Sequence, residues 1–540
     1  MRLLTVQQMR AVEKAADARG LTYDMMMENA GRRLADEIVR LSTGTTDPRV
    51  FALVGPGNNG GDALVALAYL AQTGWKTGAY LIHRSKDALV RRFAAAGGAV
   101  MSAVDDRDGK IMAAGVQAAT ILVDGVLGTG FRPPVTEEVS APMARVAQLL
   151  ATTAKKPIVV AVDCPSGVDC DSGSIHGTTI PADLTVTMAA AKKGLLRFPA
   201  FGFVGELRAV DIGVQTELSS LPGPHVEVAD ADTVAALLPK RPAEAHKGTF
   251  GTALVIAGSV NYSGAALLAG RAAYRVGAGL VRMAVPSPLH GALAGHFPEA
   301  VWVLLPNELG VISKDATHVA LESLDRVTAM LLGPGLGTQQ TTFEFVQALL
   351  SPRPGQAKSE GRIGFIRENG GAHPAEGSVL PPLVVDADGL RHLIRIREWS
   401  RHLPPDTVLT PHPGEMAALT NLPVGEVQEN RQEVASRFAA EWGHVVVLKG
   451  AITVVASPDG SACLIPVATP ALARAGTGDV LAGAIVGLRA QGMPAYDAAV
   501  AAAWIHAQAG KAAEARIGAS ASVLAGDVLD SLATVLRDLS

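Results

Sequence analysis

Apolar runs of strand length alternate with longer stretches in which apolar and charged positions recur at helical spacing. Met1–Ser42 reads as helices, with Met25-Met26-Met27-Glu28-Asn29-Ala30-Gly31 in its middle. Arg49–Val54 then reads as a short buried strand and Ala63–Gln72 as the helix that follows it. Further strands are predicted over Gly78–Ile82, Ile121–Asp124, Pro157–Val162, Thr185–Met188 and Leu207–Ile212. Leu221-Pro222-Gly223-Pro224-His225 interrupts the rhythm, so the chain is divided into residues 1–221 and 222–540. The rhythm restarts with an entry segment at Val226–Leu238, a strand at Thr252–Ala257 and a helix at Ser263–Val276. Apolar runs follow at Ala329–Leu332, Leu383–Val385 and Val445–Leu448. From Ser351 to Pro382 the chain is rich in Gly, Pro and charge without a sustained period, and reads as a long surface excursion. Strands alternating with helices in this way predict an α/β protein of two domains, each built on a parallel sheet.

Composition narrows the partners. With 48% apolar and 18% charged residues, the 540-residue chain can bury a large core. A net charge of −4 and the lack of a long basic run argue against nucleic acid or an acidic membrane as partner, leaving small ligands. Cys164, Cys170 and Cys463 show neither a disulfide framework nor paired metal spacing, which makes a reducing cytoplasm the expected compartment. No apolar run approaches the length of a membrane span, and a soluble protein is expected.

The candidate chemistry lies in glycine loops at strand ends. Arg49–Val54 runs into Gly55-Pro56-Gly57-Asn58-Asn59-Gly60-Gly61-Asp62, a strand–loop–helix arrangement suited to cradling phosphate. Gly55, Gly57 and Gly60 also satisfy the spacing of a dinucleotide-dependent dehydrogenase, but the next strand ends in His83-Arg84 where a ribose-binding acid would stand. Arg84 could instead accommodate a 2′-phosphate, and that alternative stays open at this stage. Two later strands end in an acid, Asp124 before Gly125–Arg132 and Asp163 before Cys164-Pro165-Ser166. Ligands of open parallel sheets sit beyond the carboxyl ends of the strands, so Asn59, Asp62, Asp124 and Asp163 are candidates to share one crevice. Each acid taken singly could be a helix cap or a turn residue. In the second half, Gly333-Pro334-Gly335, Thr410-Pro411-His412, Lys449-Gly450 and Gly476-Thr477-Gly478-Asp479 repeat the theme. The last of these opens an apolar helix whose N-terminus attracts anions, and Asp479 sits where a proton-abstracting base would be placed, or where an N-cap acid would.

GPGNNGGD, VDGVLGTG, AVDCPSGVDCDSG and the AKKG turn resemble the NAD(P)H-hydrate epimerase family across nearly the whole first half. LLGPGLGT, LTPHPGE, VVVLKGAIT and ARAGTGDVLAG resemble the ADP/ATP-dependent NAD(P)H-hydrate dehydratases of the ribokinase-like fold from about residue 230 onward. The two resemblances together imply a Rossmann-like three-layer αβα epimerase domain followed by a ribokinase-like dehydratase domain. They imply hydrate contacts at Asn58, Asn59, Gly60, Gly61, Asp62, Gly128, Thr129, Gly130, Phe131, Arg132, Pro133, Pro134 and Asp163 in the first half. In the second half they imply hydrate contacts at Ala265, Gly335, His412 and Asp479, and nucleotide contacts at Lys449, Gly450, Ala451, Ile452, Thr453 and Gly478. Asp163 and Asp479 would be catalytic, potassium would sit on Asn59, Asp124 and Ser166, and magnesium would arrive with ADP or ATP. The expected partners are NADHX, NADPHX and ADP, in a homo-oligomer. A small-alcohol kinase fused to a nucleotide-binding sensor is the alternative.

Overall fold

The computed structural model describes residues 1–132, 134–153, 155–351 and 380–539. Pro133 and most of the expected excursion at 351–382 therefore lie outside the described residues. The chain forms two compact units, Met1–Val228 and Ala229–Ser540. Among the described residues no helix is long and apolar enough to cross a membrane.

The first unit opens with helices α1 (Val6–Ala18) and α2 (Tyr23–Leu41). A Thr5–Gln8 capping box starts α1 by satisfying donors its first turn would otherwise leave bare. The strands are β1 (Arg49–Val54), β2 (Lys76–Leu81), β3 (Ala99–Ser102), β4 (Ile121–Gly125), β5 (Ile158–Val162), β6 (Leu184–Met188) and β7 (Glu206–Val210). They lie parallel in the order β3-β2-β1-β4-β5-β6-β7. The chain winds outward from β1 to β3 and then returns to the other side of β1, so the order reverses between β1 and β4. That is where an open α/β sheet leaves a crevice. Helix α3 (Asn58–Gln72) leaves β1 over this crevice, starting at Asn58 rather than at the expected Ala63. Asn-Asn-Gly-Gly has the local chemistry of a turn, but here Gly57 occupies the cap position and the glycines form the first helical turn.

The second unit repeats the plan with β8 (Thr252–Ile256), β9 (Leu280–Pro286), β10 (Val301–Leu305), β11 (Ala329–Leu332), β12 (Leu383–Val385), β13 (Val408–Leu409) and β14 (Val445–Leu448). Strands β15 (Val454–Ala456) and β16 (Ala462–Leu464) extend it antiparallel. Their order is β16-β15-β14-β13-β12-β11-β8-β9-β10, again with a reversal, between β8 and β11. Both faces of the sheet are covered, which is why β11, β12 and β14 are apolar at every position, β8 at every position but Thr252, and all four are buried. Helix α4 (Ser263–Arg275) follows β8, and α5 (Pro413–Thr420) and α6 (Arg431–Trp442) follow β13. Helix α7 (Thr477–Ala490) begins at Gly476, whose φ of +91° is a backbone state that glycine adopts without strain.

Helix α7 crosses α4 so closely that a Cβ on Gly483 would collide with the backbone of Ala269. Gly483→Val is therefore expected to push apart the helix that carries Asp479. Overpacking of this kind usually costs about 1–3 kcal/mol, and backbone obstruction puts this case at the upper end. A lowered melting temperature in thermal unfolding checks it.

Candidate active sites

In the first unit the switch-point crevice gathers residues from three loops. Asn59 donates from Nδ2 to the Leu127 carbonyl at 3.2 Å and to the Val162 carbonyl, while its Oδ1 faces Gly128. Asp124, at the end of β4, is fully buried. It accepts from Ser166 N at 2.8 Å and Ser166 Oγ at 2.5 Å, and Ser166 Oγ in turn accepts from Leu127 N at 2.8 Å. Burial pushes the Asp124 carboxyl pKa up, against the pull of the Ser166 hydrogen bonds. Asn59, Asp124 and Ser166 thus form one oxygen-rich cluster with a single carboxylate.

Asp163 leaves β5 with φ of +65°, in a left-handed state that Asp tolerates better than most residues. Its Oδ1 accepts from Met188 N at 2.9 Å, from Thr187 Oγ1 at 3.1 Å and from Lys192 Nζ. Lys192, in the AKKG turn, is not a solvated residue. It is 1% exposed and is held by Asp163, Thr187 and the Met188 carbonyl. Asp62, on the second turn of α3, is also buried, and burial together with the charges of Asp163 and Glu13 raises its pKa well above the ordinary value. In the loop after β4, Phe131 N donates to the Gly128 carbonyl at 2.9 Å. Arg132 pairs with Asp169 at 3.5 Å and Asp171 at 3.3 Å, which ties this loop to the one carrying Ser166.

In the second unit the strand ends converge in the same manner. A Cβ built on Gly335 would lie 2.9 Å from that of Ala265, so these two proposed hydrate contacts are neighbours. Lys449, at the end of β14, pairs with Asp386 Oδ1 at 2.6 Å and approaches Glu415 Oε2 at 3.9 Å. Thr410 Oγ1 donates to the same Asp386 oxygen at 2.6 Å, while Asp386 Oδ2 is buried without a hydrogen-bond partner. Burial would lower the Lys449 pKa, but Asp386 and Glu415 outweigh it and hold the ammonium above its ordinary value. The loop after Lys449 is shaped by positive φ at Gly450 (+151°) and Ile452 (+58°). Arg431 braces it from α6, donating to the Leu448 and Lys449 carbonyls at 2.9 and 3.1 Å. Burial lowers the Arg431 pKa to about 10.

His412 caps α5, accepting from Gly414 N at 3.0 Å and Glu415 N at 3.2 Å. A Cβ on Gly478 would stand 3.5 Å from Lys449 Nζ, so the glycine turn of α7 faces the lysine. Asp479 lies in the first turn of that helix. Burial, then the charge of Asp386, raises its carboxyl pKa to about 7, with Lys449 opposing. Beneath the turn, His506 is kept neutral by burial, its pKa lowered to about 4.

Glu13, Asp386 and His506 are additions to the residues read from the sequence. Asp386 carried the same signal as Asp124 and Asp163, an acid closing a buried strand. Glu13 and His506 carried none, because both lie within helices where a charged or polar position reads as ordinary patterning.

Two crevices at sheet switch points, one lined by buried carboxylates and a lysine and the other by a lysine beside a glycine-capped helix with a high-pKa aspartate, define a two-domain α/β enzyme. Residues 253–355 and 376–533 match the family described as NAD(P)H-hydrate dehydratase, and residues 23–194 match the YjeF-related protein N-terminus. The bifunctional NAD(P)H-hydrate repair enzyme of Moorella thermoacetica is 35% identical over 100% of this chain and 97% of its own. That of Escherichia coli is 32% identical over 98% of this chain and 92% of its own. A crystal structure of the ADP/ATP-dependent NAD(P)H-hydrate dehydratase from Bacillus subtilis is 31% identical, covering 58% of this chain and 99% of its own, with a TM-score of 0.46. The chain belongs to the bifunctional NAD(P)H-hydrate repair enzyme family.

Proposed function

We propose that the first unit interconverts the R and S hydrates of NADH and NADPH, and that the second dehydrates the S form using ADP, or ATP. The observation that carries this is the pair of separate crevices, each with its own proton-handling carboxylate: Asp163 held by Lys192, and Asp479 beside Lys449. The hydrate bears a hydroxyl on C6 of the reduced nicotinamide ring, and hydroxide is a poor leaving group. In the second unit Asp479 takes the hydroxyl proton as the oxygen attacks the terminal phosphorus of ADP, releasing AMP. The ring nitrogen lone pair then expels phosphate, and loss of a C5 proton restores the double bond. Lys449 and the backbone amides of Gly476–Gly478 supply positive potential to the transferring phosphoryl group.

Magnesium would enter with the nucleotide and supply charge neutralisation there. Asp386, with its unpartnered buried Oδ2, is the carboxylate whose chemistry fits it. In the first unit Asn59, Asp124 and Ser166 offer one negative charge and neutral oxygens, a donor set that suits potassium better than a divalent ion. Potassium would fix the loop from Asp163 to Ser166. Cys164, Cys170 and Cys463 are buried, in keeping with a reducing cytoplasm.

The test is a mixture of R and S hydrates supplied with ADP, followed by recovery of the reduced-nicotinamide absorbance. The whole chain is expected to recover all of it. A fragment spanning Val226–Ser540 is expected to stop near the S fraction and then proceed only as fast as spontaneous epimerisation. Rapid use of both epimers by the fragment would overturn the division of labour, and a stable phosphorylated product would mark a kinase instead.

A further inference from the structure

Asp62 is only 7% exposed, yet no hydrogen bond from a described residue reaches its carboxylate. A largely buried carboxyl that no neighbouring donor engages is free to meet a ligand in the crevice. Its surroundings are Asp163 from the loop after β5, Glu13 from α1 with Arg10 beside it, and Lys192 from the segment after β6. The lysine is committed elsewhere: Lys192 Nζ, Thr187 Oγ1 and Met188 N all converge on Asp163 Oδ1. No described hydrogen bond reaches the other oxygen of Asp163. The site therefore holds two carboxyl groups in opposite settings, one saturated with donors on a single oxygen and anchored by a cation, the other buried among acceptors.

We propose that the side chain of Asp62 is the second proton-transfer group of the epimerase site, acting with Asp163, and that Lys192 is the positioning residue that holds Asp163 in place. The proposal rests on the epimerase reading of the first unit and assigns its proton transfers. The Asp163 carboxylate removes the proton from the C6 hydroxyl of the hydrate. The C6=O bond forms as the C6–N1 bond breaks, and its electron pair goes to N1, which takes a proton from the Asp62 carboxyl. Rotation about C5–C6 presents the other face of the aldehyde. Attack by N1 then reforms the ring, the N1 proton returns to Asp62, and the new alkoxide recovers its proton from Asp163. Neither water nor a co-reactant is consumed, and both carboxyls end as they began. Separately, burial and the charges of Asp163 and Glu13 raise the Asp62 pKa, with Lys192 opposing, which favours the protonated form the step needs. Glu13, itself raised first by burial, contributes to that bias.

The experiment uses the full chain without nucleotide, so that dehydration is silent, and follows conversion of purified R hydrate to S by chromatography across pH. Wild type is expected to lose rate as pH rises, a basic limb set by the loss of the Asp62 proton. Asp62→Asn is expected to lower the rate by about 10²–10⁴-fold and to abolish the basic limb. Lys192→Met is expected to lower the rate, because Asp163 loses the cation that holds it, and Lys192→Arg is expected to recover part of it. Asp62→Asn with near-normal rate and an unchanged profile would overturn the proposal. If that variant does not fold, as judged by circular dichroism, a wild-type profile without a basic limb overturns it. No epimerisation by wild type would instead overturn the reading on which the proposal rests.

Discussion

Replacing Asp479 by asparagine is expected to lower dehydration of the S hydrate by about 10²–10⁴-fold, the usual cost of removing a general base. Asparagine keeps the size and the helical first turn, so the glycine-capped start of α7 and its anion-binding amides remain. Nucleotide affinity should change little, and R-to-S conversion by the first unit should be untouched. The wild-type enzyme carries a matching pH signature. With a pKa of about 7, Asp479 is half-ionised near neutrality, and the dehydration rate should fall tenfold per unit as pH drops below that value. A stability change accompanies it. The folded-state pKa is raised, so between the unfolded value of 3.8 and about 7 the folded state binds more protons than the unfolded chain, and stability falls as pH rises through that window. Asp479→Asn should therefore raise the melting temperature at pH 8 and leave it unchanged below pH 4. Near-normal dehydration by the variant would refute the role of Asp479.

The strand–helix rhythm, the glycine loops and the acids at strand ends were legible in the sequence because each rests on local chemistry. Apolar runs bounded by glycine mark buried strands, and Asp124, Asp163 and Asp479 follow directly from where such runs end or begin. What the sequence concealed depends on residues far apart along the chain. Asn58–Gly61 has the composition of a turn, and its helical state depends on packing of the kind seen where a Cβ on Gly61 would meet Met27. Lys192 sits in an AKKG turn that looks solvated, and only the convergence of the loops after β5 and β6 shows that it is buried against Asp163. Asp386 and Lys449 form their ion pair across 63 positions, bringing the ends of β12 and β14 together. Asp62 was legible as part of a binding loop. Its second identity, a buried carboxyl with no hydrogen-bond partner, follows from which neighbours the fold supplies and which it withholds.

Asp124→Ala is expected to abolish epimerisation and its potassium dependence together, with dehydration intact. In the folded chain Asp124 accepts from Ser166 N, Ser166 Oγ and Val126 N, so alanine takes the acceptor from the buried Ser166 and Val126 amides, while Ser166 Oγ keeps only the Leu127 carbonyl at 3.4 Å. Each such donor costs about 1–3 kcal/mol, and the loop carrying Asp163 loses its anchor to β4. A purely structural Asp124 would give the same loss of activity, so the variant alone does not separate the two roles. The wild-type enzyme does. If the oxygen cluster of Asn59, Asp124 and Ser166 holds a monovalent cation, rigorous exchange of potassium for tetramethylammonium, too large for such a cluster, should slow epimerisation, and restoring potassium should recover it. Asp124→Asn keeps an acceptor for Ser166 but removes the charge, and should weaken the potassium response more than it lowers the melting temperature. Equal rates in the two cations would leave Asp124 as a brace between β4 and the Ser166 loop, with no ion in the epimerase site.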